Sequence, residues 1–327
     1  MEKRNLGKSN LSIEPLIVGT WAFGGGSWWG PQEDKFSVEV LEAALSQGLR
    51  SFDTAPIYGK GRSERVIGDF VYKRKIREKV ILATKTGLSW QGSRIFHDLS
   101  KKRMLEELDE SRNRLKTDYI DLYQVHWPDP NVEISDSAET MLEIFKKNLV
   151  KAVGVSNYSI AQMKEFLKYC PIHSLQPQYS MFERSIEKEI IGFCQENNIA
   201  VITYAPLYSG ILTGKFFFEK NKIPQDVNRK MKMKDLTEPA YSINKEALSK
   251  IRGIAQKYNK TLSQLVINWN FSQKGITSAI VGMRNLKQAE ENLGSLGFSI
   301  SEEDKEQIDI ILRNRTVRIN QILDTRY

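Results

Sequence analysis

Three consecutive apolar runs end in polar residues able to move protons. Asp53 closes the run in RSFDTAP, and Tyr58 follows in the loop PIYGKGRSE. Lys85 closes KVILATK, and His126 closes YIDLYQVH. A buried run gains nothing from ending in a charge, whereas an active site needs that charge on a rigid element. A phenol titrates at about 10 and is a poor acid or base at neutral pH. A nearby ammonium favours the phenolate and lowers that value. Lys85 suits this part, and the Asp53 carboxylate keeps the lysine charged and aimed. His126 is suited to donate a hydrogen bond to a substrate oxygen. The set fits carbonyl reduction with Tyr58 giving the proton. No side chain gives hydride, so a nicotinamide cofactor is implied.

Elements that could hold these residues together alternate along the chain. Strand-like runs are PLIVGTW, RSFDTA, KVILATK, YIDLYQVH, KAVGVS, SLQPQYS, AVITYAP and SAIVGM. Between them lie amphipathic stretches such as DKFSVEVLEAALSQG, SERVIGDFVYK and SKKRMLEELDESRNRLK, with apolar residues at three- and four-residue steps. The strands are short and rich in Val, Ile and Leu, as parallel strands buried on both faces are. Eight such units predict an α/β protein, a (β/α)8 TIM barrel, in one domain over residues 1–327. A doubly wound sheet would favour a GxGxxG turn after its first strand. The GGG at 24–26 has the wrong spacing, is followed by Trp28, Trp29 and Pro31, and reads as a flexible loop. Residues 1–14 read as an N-terminal hairpin. The connection from Leu207 to Asn244 is long and polar, with mobility expected from Gly210 and Gly214. Extra helices are predicted at 261–273 and, at the C-terminus, at 301–312, with Ser301 as N-cap.

Bulk properties narrow the class. The chain has 327 residues, 40% hydrophobic and 27% charged, and is globular in character. No stretch approaches about 20 apolar residues, so no membrane span is expected. The net charge of +8 is spread along helices. Its densest cluster, NRKMKMKD at 228–235, lacks the aromatic or motif support of a nucleic-acid surface. Two cysteines and a start without an apolar leader fit a reducing, cytoplasmic setting. His97 and His173 have no ligand-like spacing to each other or to Cys170 and Cys194, so no metal site is expected. The partner expected is a small carbonyl compound.

The chain resembles the aldo-keto reductases over essentially its whole length. The matching motifs, in order, are GTW at 19–21, FDTAPIYG at 52–59, ATK at 83–85, DLYQVHWPD at 121–129, VGVSN at 153–157, LQPQYS at 175–180 and AIVGMRNLKQAEEN at 279–292. DTAxxYGxxxxE, ending at Glu64, is highly specific. The subgroup most similar holds bacterial general-stress and inositol-locus reductases, with potassium-channel β-subunits more distant. The resemblance implies that Asp53, Tyr58, Lys85 and His126 form a catalytic tetrad. It implies that Ser156, Asn157 and Gln176 hold the nicotinamide carboxamide and that Tyr204 stacks on the ring. Leu207, Ser209 and Gly210 match the loop over the pyrophosphate, with Pro206 and Leu212 beside them. Gly282, Arg284, Gln288, Glu291 and Asn292 match the adenosine end, and Gly19, Thr20 and Trp21 complete the cofactor set. Better-known members carry a lysine where this chain has Gly282. Arg284 then takes the 2′-phosphate or stacks on adenine, which implies NADP while leaving NAD open.

Trp21, Trp90 and Trp127 lie at or just past strand ends and are candidates for walls of an apolar substrate pocket. Trp28 and Trp29 stand between that role and surface packing beneath loops. Ser156 and Asn157 read also as an N-cap for IAQMKEFL. The function expected is reversible hydride transfer between NADP(H) and an aldehyde or ketone. One alternative is a cofactor-binding, redox-sensing regulatory subunit with slow turnover. Another makes Lys85 a Schiff-base lysine. Substrate choice falls to the loops after the first, fourth and seventh strands.

Overall fold

In the computed structural model, which describes residues 2–219, 226 and 230–324, the apolar runs become parallel strands, joined by two antiparallel hairpins, one pairing Arg4–Asn5 with Ser12–Ile13 and one pairing Leu88–Gln91 with Arg94–His97. The strands are β1 (Arg4–Asn5), β2 (Ser12–Ile13), β3 (Leu16–Gly19), β4 (Ser51–Asp53), β5 (Ile81–Thr86), β6 (Leu88–Gln91), β7 (Arg94–His97), β8 (Ile120–Val125), β9 (Val150–Ser156), β10 (Ser174–Gln176), β11 (Ala200–Tyr204) and β12 (Ser278–Gly282). Eight of them close a barrel in the order β3-β4-β5-β8-β9-β10-β11-β12, and β12 returns to pair with β3. The expected TIM barrel is present, with helices following the strands around it. Among the described residues, no helix is long and apolar enough to cross a membrane.

Alternation along each strand divides the side chains into two sets. Outward residues such as Val18, Phe52, Leu82, Val153 and Val281 join the main core beneath the helices. Inward residues Ile17, Ala83, Leu122, Ala152, Ala200, Ile202 and Ile280 form a second cluster with Leu6 and Ile13. Leu6 follows β1 and Ile13 ends β2, so the expected N-terminal hairpin plugs the end of the barrel where the strands begin. The other end, where the strands finish, is left for a site. Continuing the inward set by two residues from Ala83, Leu122 and Ile202 gives Lys85, Gln124 and Tyr204. The last interior layer is therefore polar.

Other expectations fare unevenly. Ser301 caps the last helix, accepting from the Asp304 N–H at 3.2 Å, but that helix runs on to Asp324. Ser156 and Asn157 do not cap Ile160–Leu167; Ser159 does, in a capping box with Gln162. The glycines at 24–26 are not an irregular loop. Gly24 ends a 3-10 turn over Trp21–Gly24, and Gly26 begins a helical turn over Gly26–Trp29. The β6–β7 hairpin was not expected. Its signal was Gly92-Ser93 between two alternating segments, and Gly92 has the positive φ of 59° that such a turn uses. In the connection from Leu207 to Asn244, residues 220–225 and 227–229 lie outside the described residues, so Asn228 and Arg229 of the basic cluster do too. The described part is not uniformly polar: Ile211, Leu212, Phe216, Phe217 and Leu236 are buried.

Helix packing sets a stability test. Gly68, in the helix Arg62–Arg74, faces the helix Lys101–Leu115; a β-carbon there would lie 2.3 Å from the Arg114 carbonyl oxygen. At Gly253, in the helix Ala240–Lys257, a β-carbon meets nothing within 4 Å. In urea melts, Gly68→Ala should lose about 1–3 kcal/mol through overpacking. Gly253→Ala should gain about 0.5–1 kcal/mol from reduced unfolded-chain freedom.

Candidate active site

The polar interior layer is organised around one buried carboxylate. Asp53 ends β4 and is 3% exposed, and Lys85 on β5 is wholly buried. Lys85 Nζ donates to Asp53 Oδ1 at 2.6 Å and to the Thr54 carbonyl at 2.8 Å, and lies 3.4 Å from the Tyr58 hydroxyl. These three acceptors match the three protons of an ammonium. Asp53 Oδ2 accepts from Gln176 Nε2 at 2.9 Å and Gln124 Nε2 at 3.2 Å. Gln124, on β8, was not singled out in the sequence. Its place two residues before His126, on the same face of the strand, was the available signal.

Tyr58 is positioned by backbone packing. The loop after β4 passes Gly59 (φ 62°) directly against Gly24: a β-carbon on Gly24 would sit 2.5 Å from the Gly59 nitrogen, and one on Gly59 2.5 Å from the Gly24 oxygen. Neither glycine can be replaced without moving this loop. Thr20 Oγ1 donates to the Asp53 carbonyl at 2.8 Å, and Ser63 Oγ donates to the Thr20 carbonyl at 3.0 Å. The ends of β3 and β4 and the helix carrying Ser63 are thereby tied together. From outside the barrel, Glu64 accepts from Thr84 Oγ1 at 2.7 Å, and Glu107 accepts from Thr86 Oγ1 and the Gly87 N–H, each at 2.9 Å. These bonds pin β5 on either side of Lys85.

His126 follows β8. Its N–H donates to the Thr86 carbonyl at 2.9 Å, and its ring meets Tyr58 edge-on at a centroid distance of 6.0 Å. Burial holds the imidazole well below its ordinary pKa, aided by Lys85 and His97. Nδ1 is shut off from solvent without a hydrogen-bond partner among the described residues, although the residue as a whole is only part-covered. Burial pulls the Lys85 amine below its usual range, and Asp53 works against that fall. The Tyr58 phenol does not follow the sequence expectation of a lowered pKa. Burial first, and the Asp53 charge second, push it well above its ordinary value. The ammonium spends its charge on Asp53, the nearer acceptor, and the phenol keeps its proton.

The residues expected to meet a cofactor gather on one side of this layer. Asn157 (φ 62°) donates to the His126 carbonyl at 3.1 Å and to Ser156 Oγ at 2.9 Å, and accepts from the Tyr204 hydroxyl at 2.9 Å. Ser156 Oγ donates to the Gln176 carbonyl at 2.8 Å. Gln176 turns its amide inward to Asp53, so it serves the acidic hub as well. After β11, Pro206 and Leu207 lead into Tyr208, Ser209 and Gly210, with φ of 48°, 58° and 85°, and then buried Leu212. Gly282 ends β12 exposed, with space for a side chain. Beside it, Arg284 Nη2 donates to the Pro31 carbonyl at 2.7 Å, and the Arg284 N–H donates to Gln288 at 3.0 Å. Asn292 donates to the Gly282 carbonyl at 3.3 Å. Glu291 instead accepts from Thr261, the N-cap of the helix Leu262–Phe271.

Tryptophans stand beside Tyr58. Trp21 stacks on the phenol ring at 5.9 Å and touches Trp28 at 5.5 Å and Trp29 at 5.3 Å. The site therefore draws in the pair left between surface packing and pocket. Trp90 is half-buried on β6 and Trp127 is 41% exposed after His126; neither makes a ring contact with this group.

Comparison with known proteins gives a consistent picture. Residues 15–313 match the sequence profile described as the Aldo/keto reductase family. The aldo-keto reductase YhdN of Bacillus subtilis is 37% identical over 316 residues, covering 96% of this chain and 94% of the relative. The NADH-specific methylglyoxal reductase of Escherichia coli is 28% identical, covering 93% of this chain and 96% of that protein. The solved structure of a glycerol dehydrogenase from Gluconobacter oxydans superposes with a TM-score of 0.87 at 31% identity, covering 96% of this chain and 95% of that one.

The buried pair yields a prediction. Asp53→Leu leaves an unpaired ammonium in the barrel and should cost about 3–5 kcal/mol. Asp53→Leu combined with Lys85→Met should recover most of that loss in urea melts, because no charge remains buried alone.

Proposed function

The chain belongs to the aldo/keto reductase family, and from that premise we propose that it reduces aldehydes or ketones with NADPH, Tyr58 supplying the proton. Membership makes it an NAD(P)H-dependent oxidoreductase; substrate, cofactor preference and residue roles are proposed. The observation carrying most weight is the chain of contacts Asp53–Lys85–Tyr58, ending in the buried phenol beside His126.

The bound cofactor supplies the hydride. The protein's residues do the rest. His126, kept neutral by burial, donates a hydrogen bond to the carbonyl oxygen and polarises it. Tyr58 passes its proton to that oxygen as negative charge develops there. Lys85, 3.4 Å away, stabilises the phenolate left behind, and Asp53 keeps Lys85 in place. The residues present fit a nicotinamide dinucleotide. Tyr204 offers a partly covered ring fixed by Asn157, the tight turn at 207–210 can receive a pyrophosphate, and the open position at Gly282 leaves room for the adenosine end. Trp21, Trp28 and Trp29 wall the approach to Tyr58, which favours an apolar or aromatic carbonyl compound.

The raised phenol pKa also favours a direction. An acid acts in its protonated form, below its pKa, so reduction is served throughout the neutral range. Oxidation of an alcohol needs the phenolate and is served only at high pH. NADPH is supported by Arg284 beside open Gly282, although one relative named above is NADH-specific.

Two measurements test this reading. In steady-state assays with an aromatic aldehyde, kcat for reduction should stay flat from about pH 6 to about pH 9, with no alkaline fall before the ordinary tyrosine value of about 10. Tyr58→Phe should cut it by roughly a hundredfold or more while cofactor binding persists. A fall centred at about pH 7–8 would mean that Lys85 does depress the phenol. Separately, Arg284→Ala should raise the KM for NADPH by about tenfold and that for NADH far less, as expected for a lost guanidinium–phosphate pair.

A further inference from the structure

The last helix, Glu302–Asp324, contributes a charge to the interior. Arg315 is 8% exposed, and its partner Asp235, on the connection after β11, is 6% exposed. Arg315 Nη2 lies 3.3 Å from Asp235 Oδ1, and Nε donates to Asn244 Oδ1 at 2.8 Å. Asn244 in turn donates to the Asp235 carbonyl at 2.8 Å. The guanidinium lies 3.7 Å from the centroid of the Phe182 ring, and Phe182 meets Tyr208 edge-on at 5.9 Å. The Tyr208 hydroxyl donates to Asp235 Oδ2 at 3.3 Å, and Lys232 Nζ lies over the ring, 4.1 Å from its centroid.

Tyr208 opens the run of three successive left-handed residues that ends at Gly210. A left-handed backbone is unfavourable for tyrosine and serine and persists only where the surroundings over-determine it. Tyr208 is gripped by ring and hydroxyl together. An ion pair this deep adds little net stability, because desolvation offsets the attraction; apolar side chains of similar volume would fill the space as well. What apolar residues would lack is direction. The hydrogen bonds of Asp235 and Arg315 admit one arrangement of the Tyr208 ring and so one shape of the turn behind it.

We infer that Arg315 and Asp235 are positioning residues for the dinucleotide, acting through Tyr208 to hold residues 207–210 in the shape that closes on the pyrophosphate. This rests on the reading of Leu207, Ser209 and Gly210 as the pyrophosphate turn. It gives the C-terminal helix a part in cofactor retention without contact to the cofactor. Arg184 ties the same helix to the segment after β10 through Asp309 at 2.7 Å, so the helix is fixed on two sides of Phe182.

The test is release of NADPH, followed by stopped-flow fluorescence, in the full chain and in Tyr208→Phe, Asp235→Asn and Tyr204→Ala. Tyr208→Phe keeps the ring and removes one hydrogen bond. It should speed release by about fivefold, the size of one such bond, and Asp235→Asn should do at least as much. Single-turnover hydride transfer at saturating NADPH should be unchanged in Asp235→Asn, a split that general loosening of the fold would not give. Release at the wild-type rate in Tyr208→Phe and Asp235→Asn, with Tyr204→Ala fast, would overturn the inference and leave the cofactor site standing. Wild-type release in all three would overturn the cofactor-site reading with it.

Discussion

The structure depends on one buried ion pair, Asp53 with Lys85. Each ion alone is costly to take out of water, and a closed barrel offers no solvent to relieve it. The pair is tolerated because every lone pair and proton facing inward is used. Lys85 has three acceptors around Nζ, and Asp53 receives Lys85, Gln124 and Gln176. This satisfaction binds four strands, β4, β5, β8 and β10, into one polar layer. The neighbouring contacts follow from it. Gln176 turns inward because Asp53 needs a donor, and Ser156 takes the Gln176 carbonyl on the other side. The geometry proposed for catalysis is thus also the arrangement that lets a charge sit inside the barrel at all.

The same pair decides the electrostatics of Tyr58. A lysine next to a tyrosine reads, from sequence alone, as a device for lowering the phenol pKa. The structure puts a carboxylate 2.6 Å from that lysine, while the phenol is 3.4 Å away and buried. The ammonium's field is largely cancelled where it is needed, and desolvation prevails. A phenol that holds its proton is an acid in waiting, whereas a depressed one would be a base. In the proposed mechanism the resting site is accordingly set for giving a proton, and the lysine acts later, when the phenolate has formed and the balance of charge has changed.

The barrel was legible because its strands are short, β-branched and spaced by amphipathic helices, a pattern few other architectures produce. Asp53, Lys85 and His126 were legible because each is a polar group ending an apolar run, and Tyr58 because it follows Asp53 within DTAxxYG. Gln124 was not, since an amide inside an apolar strand looks like a tolerated exception until the carboxylate facing it is known. The β6–β7 hairpin was hidden because its strands are only four residues long and only partly buried. Trp28 and Trp29 lie in a stretch whose glycines resemble a loop, yet Gly24 is packed against Gly59 so closely that the turn is fixed by backbone contact. Sequence pattern reports burial well and pairing poorly. The residues it missed owe their places to partners distant in the chain.

That distinction separates the layers of the molecule. Asp53 and Lys85, proposed for the chemistry, sit at strand ends, where alternation alone assigns the inward face. The residues proposed to select cofactor and substrate sit on connections, whose shapes alternation does not set. Here those shapes are set by side chains reaching in from elsewhere: Gln32 and Arg284 join the tryptophan-bearing turn to the end of β12, and Asp235 with Arg315 grips Tyr208 beneath the turn after β11. Both links use directional, charged or amide groups where apolar packing would have sufficed for stability. Apolar packing tolerates several arrangements of similar energy, and hydrogen-bonded charges do not. Links of this kind can change without disturbing the proposed catalytic layer below.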